Sequence, residues 1–347
     1  MKHKTKYFNQ NTYIKTGDNK PVITPQPTIP ILDIPNWERA SYISDIKEIH
    51  SIQSKTYEQS DMLDYIYYKI LEYGGNATFD KAGNLYGTKG LSNAYPCVVA
   101  HTDTVHDIIP NSAFEVVVLE DKMFAIDNRN CTRVGIGGDD KVGIFLALEA
   151  FKNNDAIKVA FFVDEEHGCI GSREAEMSFF KNVSFVMQGD RKKYSDFTNN
   201  IMGVQMFDND FSNKINDIAE RFEKKEVRGG LTDVYQLAQN GLEVCAFNSS
   251  CGYYDPHRPI EYIVIDEVIL TSVFFQEVIN KLYDGHTRYL IDRKLKNHYF
   301  IPYTFHESWK PKFHCRKCKT KLEEDLDNMF FCNNCSNYQS IDEITIL

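Results

Sequence analysis

Short apolar runs alternate with longer stripes of helical spacing along most of the chain. Compact runs rich in β-branched and aromatic residues predict buried strands at 95–100, 157–163, 183–187 and 243–247, with a hairpin at 78–88 and extended pieces within 113–127. Apolar residues at helical spacing predict helices at 37–52, 60–71, 142–151, 172–180, 215–225, 234–240 and 265–282. Strands that alternate with helices predict an α/β fold, with a mostly parallel central sheet and helices on both faces.

Both ends of the chain depart from this pattern. Residues 1–36 are polar and then proline-rich, which predicts an extended arm without a core of its own. The alternating pattern occupies 37–290 and predicts one large domain. Residues 291–310 are polar and aromatic and predict a linker, and 311–347 form a cysteine-bearing tail.

Composition narrows the classes of function. Hydrophobic residues make up 42% and charged residues 25% of the 347, as in ordinary globular proteins. The net charge of −10 argues against a nucleic-acid partner. The sequence contains no run of about 18 apolar residues, so no membrane-spanning segment is predicted. The basic start lacks a following apolar stretch, and nine cysteines are an odd number, so we expect a cytoplasmic protein without a disulfide framework.

The run of three acids at Asp164, Glu165 and Glu166 is the most informative feature of the sequence. It directly follows the predicted strand at 157–163. Adjacent carboxylates repel one another, so such a cluster is unfavourable unless cations neutralise it. Ligands of open α/β sheets bind beyond the carboxyl ends of the strands. The position therefore predicts a cation site.

Further metal ligands occur at other strand ends and glycine-rich turns. The candidates are His101, Asp139, Glu166, Asp190 and His257. Mixed imidazole and carboxylate ligands suit zinc, with manganese or cobalt as alternatives. Five groups are too many for one tetrahedral ion but fit two ions about 3.5–4 Å apart if one carboxylate bridges them. Neighbouring residues point opposite ways, so the pattern leaves open which acid of 139–140 and of 165–166 is the ligand.

The order of these elements resembles the dizinc exopeptidases, which include peptidase T, carboxypeptidase G and the single-domain zinc aminopeptidases. The matching elements are His-x-Asp-Thr at 101–104, Gly-x-Asp-Asp-Lys at 137–141, Asp-Glu-Glu at 164–166, a lone Asp190 and a late His257. The resemblance covers residues 95–265. It implies a zinc-exopeptidase-like fold and a catalytic domain at 37–290.

The resemblance also implies a role for each matched residue. The implied metal ligands are His101 and Asp190 for the first ion, Glu166 and His257 for the second, and Asp139 as the bridge. Asp103 would hold the other ring nitrogen of His101 and fix its tautomer. Glu165 would act as general base towards the attacking water and then protonate the leaving amine.

Two departures from the family pattern concern the substrate site. The peptidase T group has a lid domain of about a hundred residues between the lone Asp and the last His, whereas Asp190 and His257 are 67 residues apart (257 − 190). We therefore expect no lid. The loop before His257 resembles that of peptidase T and offers Tyr253 and Tyr254 as hydroxyl donors to the substrate oxygen. The separate run at 228–233 resembles an Arg-Gly-Gly-Thr-Asp run of the same group, with Leu231 as an extra residue, and offers Arg228 as a substrate contact.

The tail carries two Cys-x-x-Cys pairs, with Cys315, Cys318, Cys332 and Cys335. Four thiolates in this spacing predict a closed tetrahedral site for one structural zinc ion, in a small zinc ribbon at 311–347. The ribbon is a candidate contact for a protein partner.

These features predict a metallopeptidase that acts on short peptides through two zinc ions, with an aminopeptidase as the first choice. An N-acyl amino acid deacylase and a small-peptide carboxypeptidase would use the same centre. A catalytically silent zinc-binding scaffold or adaptor is the alternative from another class. Glu165 argues against it, because a structural site has no use for an unligated acid beside the metals. The oligomeric state stays open.

Overall fold

The computed structural model describes residues 34–293 and seven short strands outside this range. The chain divides into two compact units, Met1–Arg293 and Lys294–Leu347. The first unit contains every described helix and carries all the candidate catalytic residues. In the part of the chain that the structure describes, no helix combines the length and apolarity needed to cross a membrane.

Among the described residues of the first unit there are seven α-helices. They are α1 (Asn36–His50), α2 (Ser60–Glu72), α3 (Gly138–Asn153), α4 (Ile170–Arg173), α5 (Asn209–Arg221), α6 (Asp233–Gln239) and α7 (Ile265–Leu282). Its strands are β1 (Asn11–Ile14), β2 (Val22–Pro25), β3 (Asn76–Phe79), β4 (Leu85–Lys89), β5 (Tyr95–His101), β6 (Phe114–Leu119), β7 (Lys122–Asp127), β8 (Thr132–Val134), β9 (Ile157–Phe162), β10 (Val183–Arg191), β11 (Asp196–Ile201), β12 (Val204–Gln205), β13 (Lys225–Gly229), β14 (Ala246–Ser250), β15 (Tyr253–Tyr254) and β16 (Tyr262–Val264).

A nine-stranded sheet forms the centre of this unit, in the order β12-β11-β14-β10-β5-β9-β4-β3, with β13 beside β11. The four middle strands β14, β10, β5 and β9 run parallel. Every residue of β5, β9 and β14 is buried, as expected for strands covered on both faces. The predicted α/β fold with a mostly parallel central sheet and helices on both faces is confirmed.

The strand order reverses at β5, so the carboxyl end of this strand is a topological switch point. Its two neighbours β9 and β10 lie on opposite sides and are reached by separate crossovers. Open α/β sheets bind ligands at such a switch point. Helix α3 packs across the same strands, and nearly all of its residues are buried. Gly137, which precedes it, has φ +71 and its Cβ would lie 2.7 Å from Thr104, so only glycine suits this turn.

A second sheet, in the order β15-β16-β7-β6 with β8 beside β7, carries the loop that contains His257. Strand β16 follows that loop and pairs antiparallel with β7. The extended pieces predicted within 113–127 therefore form β6 and β7, and β7 pairs with the strand that follows the His257 loop.

Two predicted helices differ from the structure. The helix predicted at 172–180 is replaced by the end of α4 and a 3-10 turn at Met177–Phe180. The rings of Phe179 and Phe180 both pack on Tyr86, with ring centroids 4.7 and 6.4 Å from it. Adjacent residues of an α-helix do not face the same neighbour, so a regular helix would not allow both contacts. The helix predicted at 215–225 begins earlier and ends at Arg221, because Lys225–Gly229 pairs with β11 instead.

The predicted tail and arm fall largely outside the described residues. The second unit contains β17 (Phe313–Cys315), β18 (Glu323–Glu324), β19 (Phe330–Cys332), β20 (Asn337–Gln339) and β21 (Ile344–Ile346). Cys315 and Cys332 end β17 and β19, and Cys318 and Cys335 lie outside the described residues. Within the predicted linker, Arg293 donates hydrogen bonds to the carbonyl oxygens of Leu242 and Val244 and so belongs to the first unit.

Candidate metal centre

The ends of three parallel strands and one glycine-rich loop meet at one point. His101 ends β5, Asp190 lies near the end of β10, and Glu165 and Glu166 follow β9. Two sets of three side chains each bring their potential ligand atoms within 4.8 Å of one another. These sets are His101, Asp139 and Glu166, and His101, Asp140 and Asp190.

The carboxylate of Asp139 lies between the two imidazoles. Its Oδ1 is 3.2 Å from Nε2 of His101, and its Oδ2 is 3.3 Å from Nε2 of His257. The neighbouring Asp140 is joined to it by a cis peptide bond, is fully buried, and accepts hydrogen bonds from the main-chain N–H groups of His101 and Gly143. The two adjacent aspartates therefore have different surroundings.

The imidazole of His101 has one ring nitrogen bound to the main chain and the other turned towards the acids. Its Nδ1 donates a hydrogen bond to the main-chain carbonyl oxygen of Asp103, at 3.0 Å. A neutral ring that carries its proton on Nδ1 has a free lone pair on Nε2. Nε2 is the atom that faces Asp139, and it lies 3.8 Å from Oδ1 of Asp190.

A buried carboxylate oxygen of Glu166 tests whether the site fits a cation. Its Oε1 accepts no hydrogen bond from the described residues, although Nε2 of His257 lies 3.0 Å away. Buried anionic oxygens without a donor are rare, and they are compensated by cations. The orphaned oxygen, the Nε2 of His101 that faces Asp139 and the surplus of acids together fit bound metal ions.

Asp103 holds the site together through its side chain. Its Oδ1 accepts from the N–H of Glu165 at 2.9 Å, and its Oδ2 accepts from the hydroxyl of Thr56 at 2.8 Å and from the N–H of Glu166 at 3.3 Å. Its contact with Nδ1 of His101 runs through the main-chain carbonyl, and the carboxylate oxygen is further away, at 3.5 Å. The residue therefore orients the histidine and both glutamates at once.

Asp190 is oriented by neighbouring polar side chains. Its Oδ2 accepts from the hydroxyl of Thr232 at 2.9 Å, and its N–H donates to Oδ1 of Asn248 at 2.8 Å. The hydroxyl of Tyr253 is 3.4 Å from its Oδ1. Thr232 belongs to the predicted glycine-rich run at 228–233, which thus supports a carboxylate of the site.

Glu165 lies near the imidazole of His101, whereas His257 pairs with Asp139 and Glu166. Its Oε2 is 3.8 Å from Nε2 of His101, and its Oε1 accepts from the thiol of Cys169 at 3.0 Å. Its side chain is 13% exposed. It thus combines a position inside the acid cluster with access to solvent.

Crowding of the acids perturbs their ionisation. Burial and then the charges of Asp190 and Asp233 raise the pKa of Glu165 well above its ordinary value. Burial and then the charge of Asp139 raise the pKa of Asp190 to about 7. Asp139 and Glu166 raise the pKa of His257 to about 10. The site holds more negative charge than the protein neutralises, which favours cations.

The predicted substrate residues have different places. Tyr253 is buried beside Asp190, whereas the hydroxyl of Tyr254 donates to both carboxylate oxygens of Glu267. Arg228 is exposed on β13. Of these three predicted substrate residues, the structure thus brings Tyr253 to a candidate metal ligand, Asp190.

Several supporting residues were not predicted from sequence. They are Thr56, Cys169, Asn248 and Glu261. Cys169 follows Glu165 by four residues, a spacing that signals proximity in a turn or helix. Thr56 and Asn248 come from distant segments without a motif, so no local signal identifies them.

Comparisons with known proteins begin with the sequence. No protein-family model matches the chain. One curated relative is the putative [LysW]-lysine/[LysW]-ornithine hydrolase of Pyrococcus abyssi, 32% identical over 79 residues. The match covers 23% of this chain and 23% of that relative.

Solved structures agree over a larger part of the chain. Aminopeptidase PepT from Bacillus cereus matches with a TM-score of 0.60 and 13% identity, over 70% of this chain and 98% of that one. A tripeptidase from Staphylococcus aureus matches with a TM-score of 0.55 and 14% identity, over 70% and 97%. This chain has the fold of these peptidases. Aminopeptidase APDkam598 from Desulfurococcus kamchatkensis gives a TM-score of 0.54 and 15% identity, over 71% and 96%.

Proposed function

We propose that the protein is a metal-dependent exopeptidase that hydrolyses short peptides with two zinc ions. The observation that carries this proposal is the Asp139 carboxylate, whose two oxygens face two different imidazoles at 3.2 and 3.3 Å. One carboxylate between two histidines suits a bridge between two ions. The orphaned oxygen of Glu166 supports the same interpretation. Manganese or cobalt would fit the same oxygen and nitrogen ligands.

The ligands divide between two ions in this proposal. His101 and Asp190 would hold one ion, Glu166 and His257 would hold the other, and Asp139 would be shared by both. When bound, two such ions lower the pKa of a shared water and polarise the carbonyl of the substrate. The tetrathiolate ribbon, with Cys315, Cys318, Cys332 and Cys335, would hold a third, structural zinc ion.

Glu165 is the acid–base residue in this proposal. Its Oε1 is occupied by the thiol of Cys169, and its Oε2 faces the ligand cluster. A raised pKa suits a group that takes a proton from the attacking water and returns it to the leaving amine. Asp103 keeps the main chain of Glu165 in place during both transfers.

The open side of the centre favours short substrates. The side chain of His257 is 49% exposed, and the segment between Asp190 and His257 adds β11, β13 and β14 to the central sheet. We propose that no separate lid domain covers the site, so that specificity depends on the residues around the strand ends. Tyr253 is the candidate donor to the substrate oxygen.

An aminopeptidase is the first choice, since two of the structural neighbours are named aminopeptidases. The partial match to a putative [LysW]-lysine/[LysW]-ornithine hydrolase favours the second candidate, an N-acyl amino acid deacylase. A panel of aminoacyl amides, N-acyl amino acids and dipeptides separates the two. Cleavage of none of them by the metal-loaded protein would refute the enzyme proposal.

The decisive variant is Glu165→Gln, which keeps the volume and removes the base. We expect turnover to fall by about 10²–10⁴-fold. We expect the variant to retain both catalytic metal ions, which elemental analysis would measure. Glu174→Gln is a matched control, because it removes the same charge from an exposed position nearby. Turnover that survives in Glu165→Gln would show that another group is the base.

A further inference from the structure

Glu261 is a buried carboxylate that no role assigned so far explains. It follows His257 by four residues and is 0% exposed. Its Oε2 accepts from the main-chain N–H of Gly137 at 2.8 Å, and its Oε1 accepts from the N–H of Asp139 at 3.2 Å. A buried charge persists only with such partners, so its placement needs a reason.

The third partner of the Glu261 carboxylate is His106, in the loop that follows β5. Its Nε2 donates to Oε2 of Glu261 at 2.7 Å. The imidazole lies flat against Gly135, where a Cβ would be 2.1 Å from ring atoms. The absence of a side chain at Gly135 thus makes room for the ring and fixes its position.

Glu261 joins the two halves of the candidate centre. It binds the main chain of Asp139, while its own N–H donates to the carbonyl oxygen of Arg258, in the turn that follows His257. The carboxylate of Asp139 faces His257 from the other side. A single buried side chain therefore sets the distance between a glycine-rich loop and a histidine turn from different parts of the chain.

We propose that Glu261, held in place by His106, is a positioning residue that sets the geometry of Asp139 and His257 for metal binding. The inference rests on the proposed dinuclear centre and adds residues that touch neither metal nor substrate. A supporting residue of this kind typically changes metal affinity or activity by about 10–100-fold. A merely structural residue would change the stability of the metal-free protein without changing the metal affinity of the folded state.

The test is Glu261→Gln in the full-length protein. The amide keeps the volume, but its NH₂ group faces one of the N–H donors of Gly137 or Asp139, which then loses its acceptor. Titration of metal-free protein with Co²⁺ reads out the two kinds of site separately, because thiolate ligands give intense charge-transfer bands and nitrogen–oxygen sites give weaker visible bands. We expect about 10–100-fold weaker Co²⁺ binding at the nitrogen–oxygen centre and an unchanged ribbon signal.

Turnover gives a second measurement. At limiting metal, kcat of Glu261→Gln falls, and saturating metal restores most of it with little change in KM. His106→Leu, which removes the donor to Glu261, weakens metal binding in the same direction. His106→Gln keeps a donor and is expected to recover much of the affinity. If Glu261→Gln does not fold, the comparison of His106→Leu with His106→Gln still tests whether this pair of residues sets the metal affinity.

Glu267→Gln is the matched control. Glu267 is a largely buried glutamate of α7 that accepts from the hydroxyl of Tyr254 and does not bond the Asp139 loop. We expect wild-type Co²⁺ affinity in this variant. Wild-type affinity in Glu261→Gln and His106→Leu as well would overturn the inference and leave the proposed function standing. A wild-type protein without a two-ion nitrogen–oxygen centre would overturn the proposed function itself.

Discussion

Replacing Asp103 by asparagine tests how the acid run after β9 is held. The carboxylate accepts three hydrogen bonds on two oxygens, one from Glu165 on Oδ1 and two from Thr56 and Glu166 on Oδ2. An amide has one acceptor oxygen and one NH₂ group. In either orientation at least one main-chain N–H, of Glu165 or of Glu166, loses its acceptor.

The structure sets the size of the effect. A buried donor left without a partner costs about 1–3 kcal/mol. For a domain of this size roughly 2–4 °C of Tm corresponds to 1 kcal/mol, so the melting temperature should fall by between about 2 and 12 °C. The same change frees the main chain of Glu165, the proposed acid–base residue, and turnover should fall by about 10–100-fold.

Asp164→Asn is the matched control for this experiment. Asp164 belongs to the same acid run, but its bonds from the N–H of Tyr57 and the amide of Gln59 both end on Oδ1. Asparagine can keep both bonds on its own oxygen, so we expect a smaller change. Thermal unfolding and turnover of the two variants are compared in one buffer. Equal losses in both would refute the hydrogen-bond argument for Asp103.

Two further predictions concern the ribbon and a buried lysine. Truncation near Tyr303 should leave a folded catalytic unit that hydrolyses peptides, with about two zinc ions per chain in place of about three; an unfolded product would place the ribbon within the catalytic core. Burial lowers the pKa of Lys224 to about 7, so the unfolded chain binds more protons than the folded one above that pH. Stability should therefore rise with pH from about 7 towards 10.4, by at most about 1.4 kcal/mol per pH unit. Lys224→Met should flatten this slope in denaturant unfolding, and an unchanged slope would contradict the assignment.

The sequence predicted the elements that depend on local pattern. Strands β5, β9 and β10 are compact apolar runs, and the acids and histidine at their ends were expected to meet because parallel strands share one edge. The glycine-rich turn before α3 was likewise visible in the sequence. Local pattern thus predicts where the candidate ligands lie, whereas the preference for Asp139 over Asp140 and for Glu166 over Glu165 comes from the resemblance to the dizinc exopeptidases.

Other features depend on contacts between distant segments. The pairing of β16 with β7 joins residues 122–124 to 262–264, and neither run carries a signal for the other. Glu261 looks like an ordinary surface glutamate in the sequence, yet it is buried against His106 and the main chain of Asp139. Local periodicity cannot report a hydrogen bond that a distant loop supplies, so such residues appear only in three dimensions.

The spread of the candidate ligands along the chain has a thermodynamic consequence. His101 and His257 are separated by 156 residues (257 − 101), with Asp139, Glu166 and Asp190 between them, so no short fragment can form the centre. Two metal ions that share these ligands would act as a reversible cross-link across the whole sheet. Ligand present at about 100 times its dissociation constant adds about 2.7 kcal/mol to the stability of the folded state. Metal supply would then set the free energy of unfolding of the protein as well as its activity.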